Sequence, residues 1–205
     1  MGSRLLKRLS IERPLACLNE HNESEFAPQL LEMLKQGQSL ALISDCGTPV
    51  FADPGSCLVP LAIQAGISVT AVPGASSLMA ALVCSGFACK EFYYVGFLPR
   101  TPHERQQKLR ALMPLKALLV IYETPYRLRA LLEDVSATFE PSLPVALCTE
   151  LTTPVEHIYR GTLQQLKEQI TQQPLKCEFV LLLNNQRPPQ PSHHQNPRQQ
   201  AKRHR

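Results

Sequence analysis

Ser44-Asp45-Cys46-Gly47-Thr48-Pro49-Val50-Phe51-Ala52-Asp53-Pro54-Gly55 is the stretch on which the reading of this chain turns. The apolar run Leu40-Ala41-Leu42-Ile43 precedes it and reads as a buried strand. An amphipathic stretch from Cys57 to Ala65 follows and reads as a helix. Asp45, Asp53, Gly47, Gly55, Pro49 and Pro54 then define a shaped loop at the carboxyl end of a strand, where open α/β sheets bind ligands. The spacing is neither GxGxxG nor a P-loop. The plainer alternative is a tight connector in which Asp53 caps a helix with Pro54 at its first position.

A second loop of the same kind comes one unit later. Ile67-Ser68-Val69-Thr70-Ala71-Val72 reads as a strand, and Pro73-Gly74-Ala75-Ser76-Ser77 turns the chain into a helix of small residues. Gly74 lets the backbone approach a ligand, and the small side chains after it leave room. The hydroxyls of Ser76 and Ser77 either cap that helix or meet a polar ligand. Two such loops on successive strands imply one crevice.

The remaining pattern is an alternation of strands and helices. Helices are expected at 3–9, 24–35 (Ser24 as N-cap, Gly37 just past the end), 56–65 and 75–84, and strands at 15–18, 40–44 and 67–72. A second unit carries strands at 92–97, 116–122, 144–149, 156–160 and 178–183, with helices at 102–112, 125–138 and 162–170. Alternation at this spacing predicts parallel strands with crossover helices. It divides the chain into an N-terminal α/β domain over 1–88, a C-terminal α/β domain over 89–183, and a tail over 184–205.

Several motifs occur in an order and spacing that resembles the tetrapyrrole-methylase superfamily of S-adenosyl-L-methionine (SAM) enzymes. Within it, the chain is similar to the group that methylates cytidine 2′-hydroxyls of small-subunit ribosomal RNA. The matching segments are Asn19-Glu20-His21-Asn22-Glu23, Ser44 to Gly55, Val72 to Ala81, Tyr94 to Pro99 and Tyr122 to Arg127. Glu150-Leu151-Thr152, Tyr159 to Leu163 and Glu178 to Leu183 follow. The resemblance implies the tetrapyrrole-methylase fold, two α/β domains with SAM in the cleft between them. The strand and Pro-x-Gly-Asn-Leu loop with which the family opens have no counterpart here, so the first domain is expected to lack its opening strands. Asn19 stands where the family usually has His, and Thr149 and Thr153 where it has Arg and Lys.

By the same resemblance, Asp45, Gly47 and Thr48 lie at the methyl donor, and Asp53, Pro54 and Gly55 shape that loop. Pro73, Gly74, Ser76 and Ser77 approach the donor from the next one. Glu123, Arg127 and Glu150 resemble cleft-facing catalytic residues. Glu123 and Arg127 are four apart, so an ordinary i,i+4 ion pair is the alternative for them, and Glu150 as the cap of a turn is the alternative there. The resemblance further implies a small-ribosomal-subunit RNA substrate, a homodimer and a cytoplasmic setting. The rival readings are a truncated, non-catalytic remnant, or a SAM-dependent tetrapyrrole methylase, whose Gly-Asp-Pro signature in the first loop is absent.

Composition narrows the classes. Of the 205 residues, 44% are hydrophobic, which suits a packed core, and no apolar run reaches the length of a membrane span. Seven cysteines, without CxxC or zinc spacing, predict neither a disulfide framework nor a metal site and suit a reducing compartment. Five of the 21 basic residues and none of the 17 acidic ones lie beyond residue 183, so the body is one negative charge from neutral although the chain is +4. The Pro-, Gln- and His-rich tail is expected to be disordered and suited to phosphate contacts. Arg100, Arg105 and Lys108 form the most basic ordered stretch; a solvated helix face is the plainer reading and RNA contact the functional one.

Overall fold

The computed structural model describes residues 2–44 and 47–186. Its centre is one five-stranded sheet. The strands are β1 (Phe92–Phe97), β2 (Leu118–Glu123), β3 (Pro144–Thr149), β4 (His157–Thr162) and β5 (Phe179–Asn184), in the spatial order β1-β2-β5-β3-β4. β1 pairs with β2 in parallel, while β5 runs antiparallel to both β2 and β3, and β4 antiparallel to β3. β1, β2 and β3 therefore point the same way, joined through α5 (Pro102–Leu112) and through a 3₁₀ turn (Pro125–Arg127) leading into α6 (Leu128–Thr138). A purely parallel sheet, as the alternation predicts, is corrected to a mixed one. The β3–β4 connection is too short for a crossover and folds back, and β5, reached through α7 (Leu163–Gln172), enters between two earlier strands.

The three inner strands, β2, β5 and β3, are almost wholly buried because both faces are covered, while the edge strands β1 and β4 are partly exposed. On one face Leu119, Ile121, Leu147 and Leu181 pack under Leu109 of α5, Leu131 of α6 and Leu166 of α7. On the other, Leu118, Val120, Ala146 and Leu182 meet Leu78, Ala81 and Leu82 of α4 (Ser77–Ser85). Each fully buried Leu or Ile contributes roughly 1.5–3 kcal/mol relative to exposure. Local signals agree with the packing. Pro102 opens α5 at its first turn, and Thr162 and Gln165 form a reciprocal capping box on α7. Gly86 ends α4 at φ 80°.

Ahead of α4 the chain is helical and irregular. α1 (Gly2–Arg8), α2 (Glu23–Lys35) and α3 (Leu58–Gln64) form as expected, with α2 capped at Asn22 rather than Ser24. Ala27, Leu30 and Leu58 join α2 to α3 in a small apolar cluster. The strands expected at 15–18, 40–44 and 67–72 are absent: these segments belong to no sheet among the described residues. Apolar alternation marks a segment that benefits from burial, but a strand exists only through a hydrogen-bonded neighbour. Without one, Ile43, Val69 and Val72 remain 46%, 47% and 91% exposed.

Residues 184–186, read as the start of the tail, are part of the folded body. Asn184 ends β5, and Asn185 Nδ2 donates to the carbonyls of Met113 and Leu115. The rest of the tail lies outside the described residues. Six cysteines among the described residues are free thiols; Cys148 is buried in the sheet, whereas Cys17, Cys57 and Cys89 are exposed.

Candidate functional site

The two loops singled out in the sequence meet. Thr48 Oγ1 donates to the Ala75 carbonyl at 3.2 Å, so the first loop is tied to the second. Gly47 lies at φ 104°, and a Cβ there would stand 3.1 Å from the same carbonyl oxygen, so glycine permits this approach. Asp53 accepts from Ser44 Oγ at 2.7 Å, bracing the loop across its base. The plainer role for Asp53, a helix cap, is not what it does: Cys57 occupies the cap position of α3. The amides there are instead met by Glu23, whose Oε1 accepts from the backbone N–H of Gly55 and Cys57 at 2.8 Å and of Leu58 at 3.4 Å. That buried carboxylate sits where the positive end of a helix favours it.

Ser76 caps α4, accepting from the Met79 amide, while Ser77 turns toward the sheet. Its hydroxyl lies 2.6 Å from the Tyr122 phenol near the end of β2. Thr48, Phe51, Ala52, Asp53, Ser76, Ser77, Leu78 and Tyr122 together line a recess at the carboxyl end of β2. Its volume is about 20 Å³, room for about one water molecule and far below the ~300–1,000 Å³ of typical small-molecule sites. A larger, open concavity lies between α1 and residues 10–15, but none of the candidate residues lines it.

Two of the lining residues, Phe51 and Tyr122, belong to a row of aromatic rings. Phe51, Tyr94, Tyr122 and Phe97 follow one another edge to face, with centroids 5.9, 5.2 and 6.1 Å apart. Burial, then the neighbouring Tyr122 and then Asp53, push the Tyr94 phenol up to about 12. Burial also raises Tyr122, against the opposing hydrogen bonds from Ser77 and Leu78. Both phenols are protonated at neutral pH and present O–H groups.

Glu123 and Arg127 stand elsewhere. Tyr122 shares the sheet face of Leu118 and Val120, so Glu123 falls on the opposite face with Leu119 and Ile121, beside Phe179. The Glu123 side chain is fully buried, and its Oε1 accepts from Thr124 N–H, Arg127 Nε and Arg127 Nη2 at 2.6–2.8 Å. Among the described residues, Glu123 Oε2 and Arg127 Nη1 are buried without a partner. Glu150, at φ 48°, accepts from the Glu178 amide at 3.0 Å and donates its own amide to the Glu178 carbonyl. It pins the β3–β4 turn to the start of β5, two strand spacings, or about 10 Å, from Glu123.

The other candidates fall as follows. Pro54 and Gly55 turn the first loop, and a Cβ on Gly55 would meet Leu42 and Val50 at 2.7 Å. Pro73 and Gly74 lie on the exposed second loop, and Asp45 lies outside the described residues. Arg105 is not a surface cation: it is buried, donating to Asp134 through Nε at 2.6 Å and so clamping α5 to α6. Arg100, Lys108 and Arg110 are exposed. Phe51, Ala52, Leu78 and Tyr122 also line the recess without a role from the sequence; for Tyr122, strand alternation through 118–123 signals its face. Among the described residues no group of His, Cys, Asp and Glu is placed to hold a metal, and no helix is long and apolar enough to cross a membrane.

A mixed sheet with helices on both faces and loops gathered at one end defines an α/β protein. The chain belongs to the tetrapyrrole (corrin/porphyrin) methylases, whose family profile matches residues 6–167. It is similar to the ribosomal RNA small subunit methyltransferase I of Halalkalibacterium halodurans, 37% identical over 180 residues, covering 88% of this chain and 62% of that protein. The Xylella fastidiosa protein of the same name is 40% identical over 181 residues, with 87% and 66% covered. The chain thus spans just under two thirds of the length of these relatives. Among solved structures it resembles diphthine synthase, at a TM-score of 0.63 and 16% identity, with 88% and 72% covered. A uroporphyrin-III C-methyl transferase of Thermus thermophilus complexed with S-adenosyl homocysteine matches at 0.54 and 18%, with 78% and 72% covered. Both likenesses speak to the fold.

Proposed function

We propose that this chain is part of an enzyme that transfers the methyl group of SAM to the 2′-hydroxyl of a cytidine in small-subunit ribosomal RNA. One observation carries the reading: the recess joins the two loops to Tyr122 at the carboxyl end of β2. The names of the relatives supply the RNA class, and the S-adenosyl homocysteine complex supplies the donor class.

SAM supplies an electrophilic methyl on a cationic sulfonium. The residues present suit such a group: the Asp53 carboxylate and the hydroxyls of Thr48, Ser76 and Ser77 are oxygens that favour positive charge, and Gly47 lets the two loops that carry them close on one another. In this reading Asp45, Gly47, Thr48, Asp53, Pro54, Gly55, Pro73, Gly74, Ser76 and Ser77 hold the donor. The protonated Tyr122 offers a hydrogen bond that fixes a bound group in one orientation. Glu123 and Arg127 act at one remove, by holding rigid the turn that leaves β2, and Glu150 does the same for the loop after β3. Asp53 is the acidic side chain that lines the recess among the described residues. Division at residue 88 into two domains, a homodimer on the small ribosomal subunit and a cytoplasmic setting complete the proposal.

Deleting the gene at its native locus and mapping 2′-O-methylation of 16S RNA tests it. Loss of one methylcytidine, restored by the locus, is expected; an unchanged profile overturns the reading. The exposed apolar segments at 40–43 and 69–72 favour a second reading, a non-catalytic remnant, and that unchanged profile is its signature.

A further inference from the structure

Tyr126 is conspicuous for what it does not do. It is 79% exposed, although a tyrosine ring ordinarily contributes by being buried. It sits at the middle of the 3₁₀ turn Pro125–Arg127, which leaves the carboxyl end of β2. That turn is held stiffly: Pro125 fixes its first torsion, and the buried Glu123 carboxylate grips both the Thr124 amide and the Arg127 guanidinium. The ammonium of Lys176, from the segment entering β5, stands 4.6 Å from the centre of the Tyr126 ring. Tyr126 follows Tyr122, which lines the recess, by four residues, so their Cα atoms are within about 14 Å.

We propose that Tyr126 and Lys176 form a stacking platform for an unpaired nucleobase of single-stranded RNA, the ring meeting the base and the ammonium meeting a flanking phosphate. The inference rests on the RNA reading above and names how the substrate strand is gripped beside the recess. A rigid, solvent-facing aromatic paired with a cation is the arrangement by which single strands are held without regard to sequence. Duplex RNA, whose bases are already stacked, gains nothing from it. Arg105, which composition groups with the basic surface, cannot serve, because Asp134 engages it in the interior.

The test uses the full chain and a short fluorescein-labelled single-stranded RNA, followed by anisotropy across a salt series. Calorimetry with SAM on the same proteins scores the donor separately. Tyr126→Ala is expected to weaken RNA binding roughly fivefold to a hundredfold, and Tyr126→Phe to stay within about twofold of wild type. Lys176→Ala is expected to reduce the salt slope by about 0.7, the value for one phosphate on a single strand, while Tyr126→Ala leaves the slope alone. SAM affinity is unchanged in all three. If wild type binds the RNA and Tyr126→Ala binds equally well, the platform is overturned while the RNA reading stands. If wild type binds no RNA, both fall. If Tyr126→Ala changes the oligomeric state by light scattering and leaves RNA affinity alone, the ring is a protein contact and the proposal is wrong.

Discussion

The Ser77 hydroxyl and the Tyr122 phenol lie 2.6 Å apart, and through them the start of α4 is fastened to the end of β2. This bond spans 45 residues of sequence and closes the inner wall of the recess. Either oxygen can donate, so one proton of the pair is committed to the bond and one is left to donate elsewhere, whichever way it is arranged.

Tyr122→Phe and Ser77→Ala each remove that bond with little change in packing. Each is expected to cost about 0.5–1.5 kcal/mol of folding stability. The double variant should cost no more than the larger single one, because the two groups are coupled directly. Urea denaturation of the four proteins reads the cycle, and additive losses would show that the hydroxyls act independently.

Arg105→Ala leaves Asp134 as a buried carboxylate with its charged partner gone. A loss of about 3–5 kcal/mol is expected, in line with other broken buried pairs. Arg105→Lys should recover little, since Arg105 also reaches the Arg100 carbonyl through Nη1 at 3.1 Å. Thermal denaturation distinguishes this from a surface cation, whose removal would shift the midpoint hardly at all.

Glu23→Ala strips the acceptor from the buried amides of Gly55 and Leu58 and the part-buried amide of Cys57. A cost of about 1–3 kcal/mol is expected. Glu23→Gln keeps an acceptor oxygen and should lose less. Hydrogen exchange localises the effect: faster exchange at 55–58 with unchanged rates in β2 and β5 is the expected pattern, and uniform acceleration would contradict it.

Alkaline stability follows from Tyr94. Its pKa is raised in the folded protein, from 10.0 to about 12, so the folded state retains a proton that the unfolded chain releases. The stabilisation is complete below pH 10 and is lost as pH rises toward 12. Tyr94→Phe should show a shallower fall across that window. The remainder comes from Tyr122 and from Cys148, which burial pushes up from 9.0 to about 12. Equal slopes for the variant and wild type would place the phenol in solvent.

Beyond residue 186 the chain carries five basic residues and no acidic one. Deleting 187–205 is expected to weaken RNA binding and flatten its salt dependence, by up to about 3.5 in slope if all five meet phosphate on a single strand. Anisotropy against salt reads this directly. Identical slopes would make the segment a bystander.

The sequence discloses the second half of this protein far better than the first. β1, α5 and β3 fall where pattern and proline punctuation place them, because each has a partner that makes use of its apolar face. Leu40–Ile43 and Ile67–Val72 carry an equally good pattern, yet pairing is a property of two segments and cannot be read from one. The insertion of β5 between β2 and β3 is likewise invisible in chain order. At the site, Thr48, Asp53, Ser76 and Ser77 are legible because loop chemistry is local. Tyr122 is missed because Glu123, its charged neighbour, draws attention to the wrong face of the same strand.

The position of β5 bears on how the protein is made. Among the described residues it is the last strand to leave the ribosome, and it lies between β2 and β3. Until it arrives, the nascent chain holds two strand pairs, β1 with β2 and β3 with β4, each with an open hydrogen-bonding edge facing a gap one strand wide. Those edges are the surfaces on which chains join one another. Slow translation ahead of residue 179 would prolong their exposure, and a brisk run through Phe179–Asn184 would shorten it. Selection on codon choice in this gene is therefore expected to concentrate on the segment that encodes β5 and its approach.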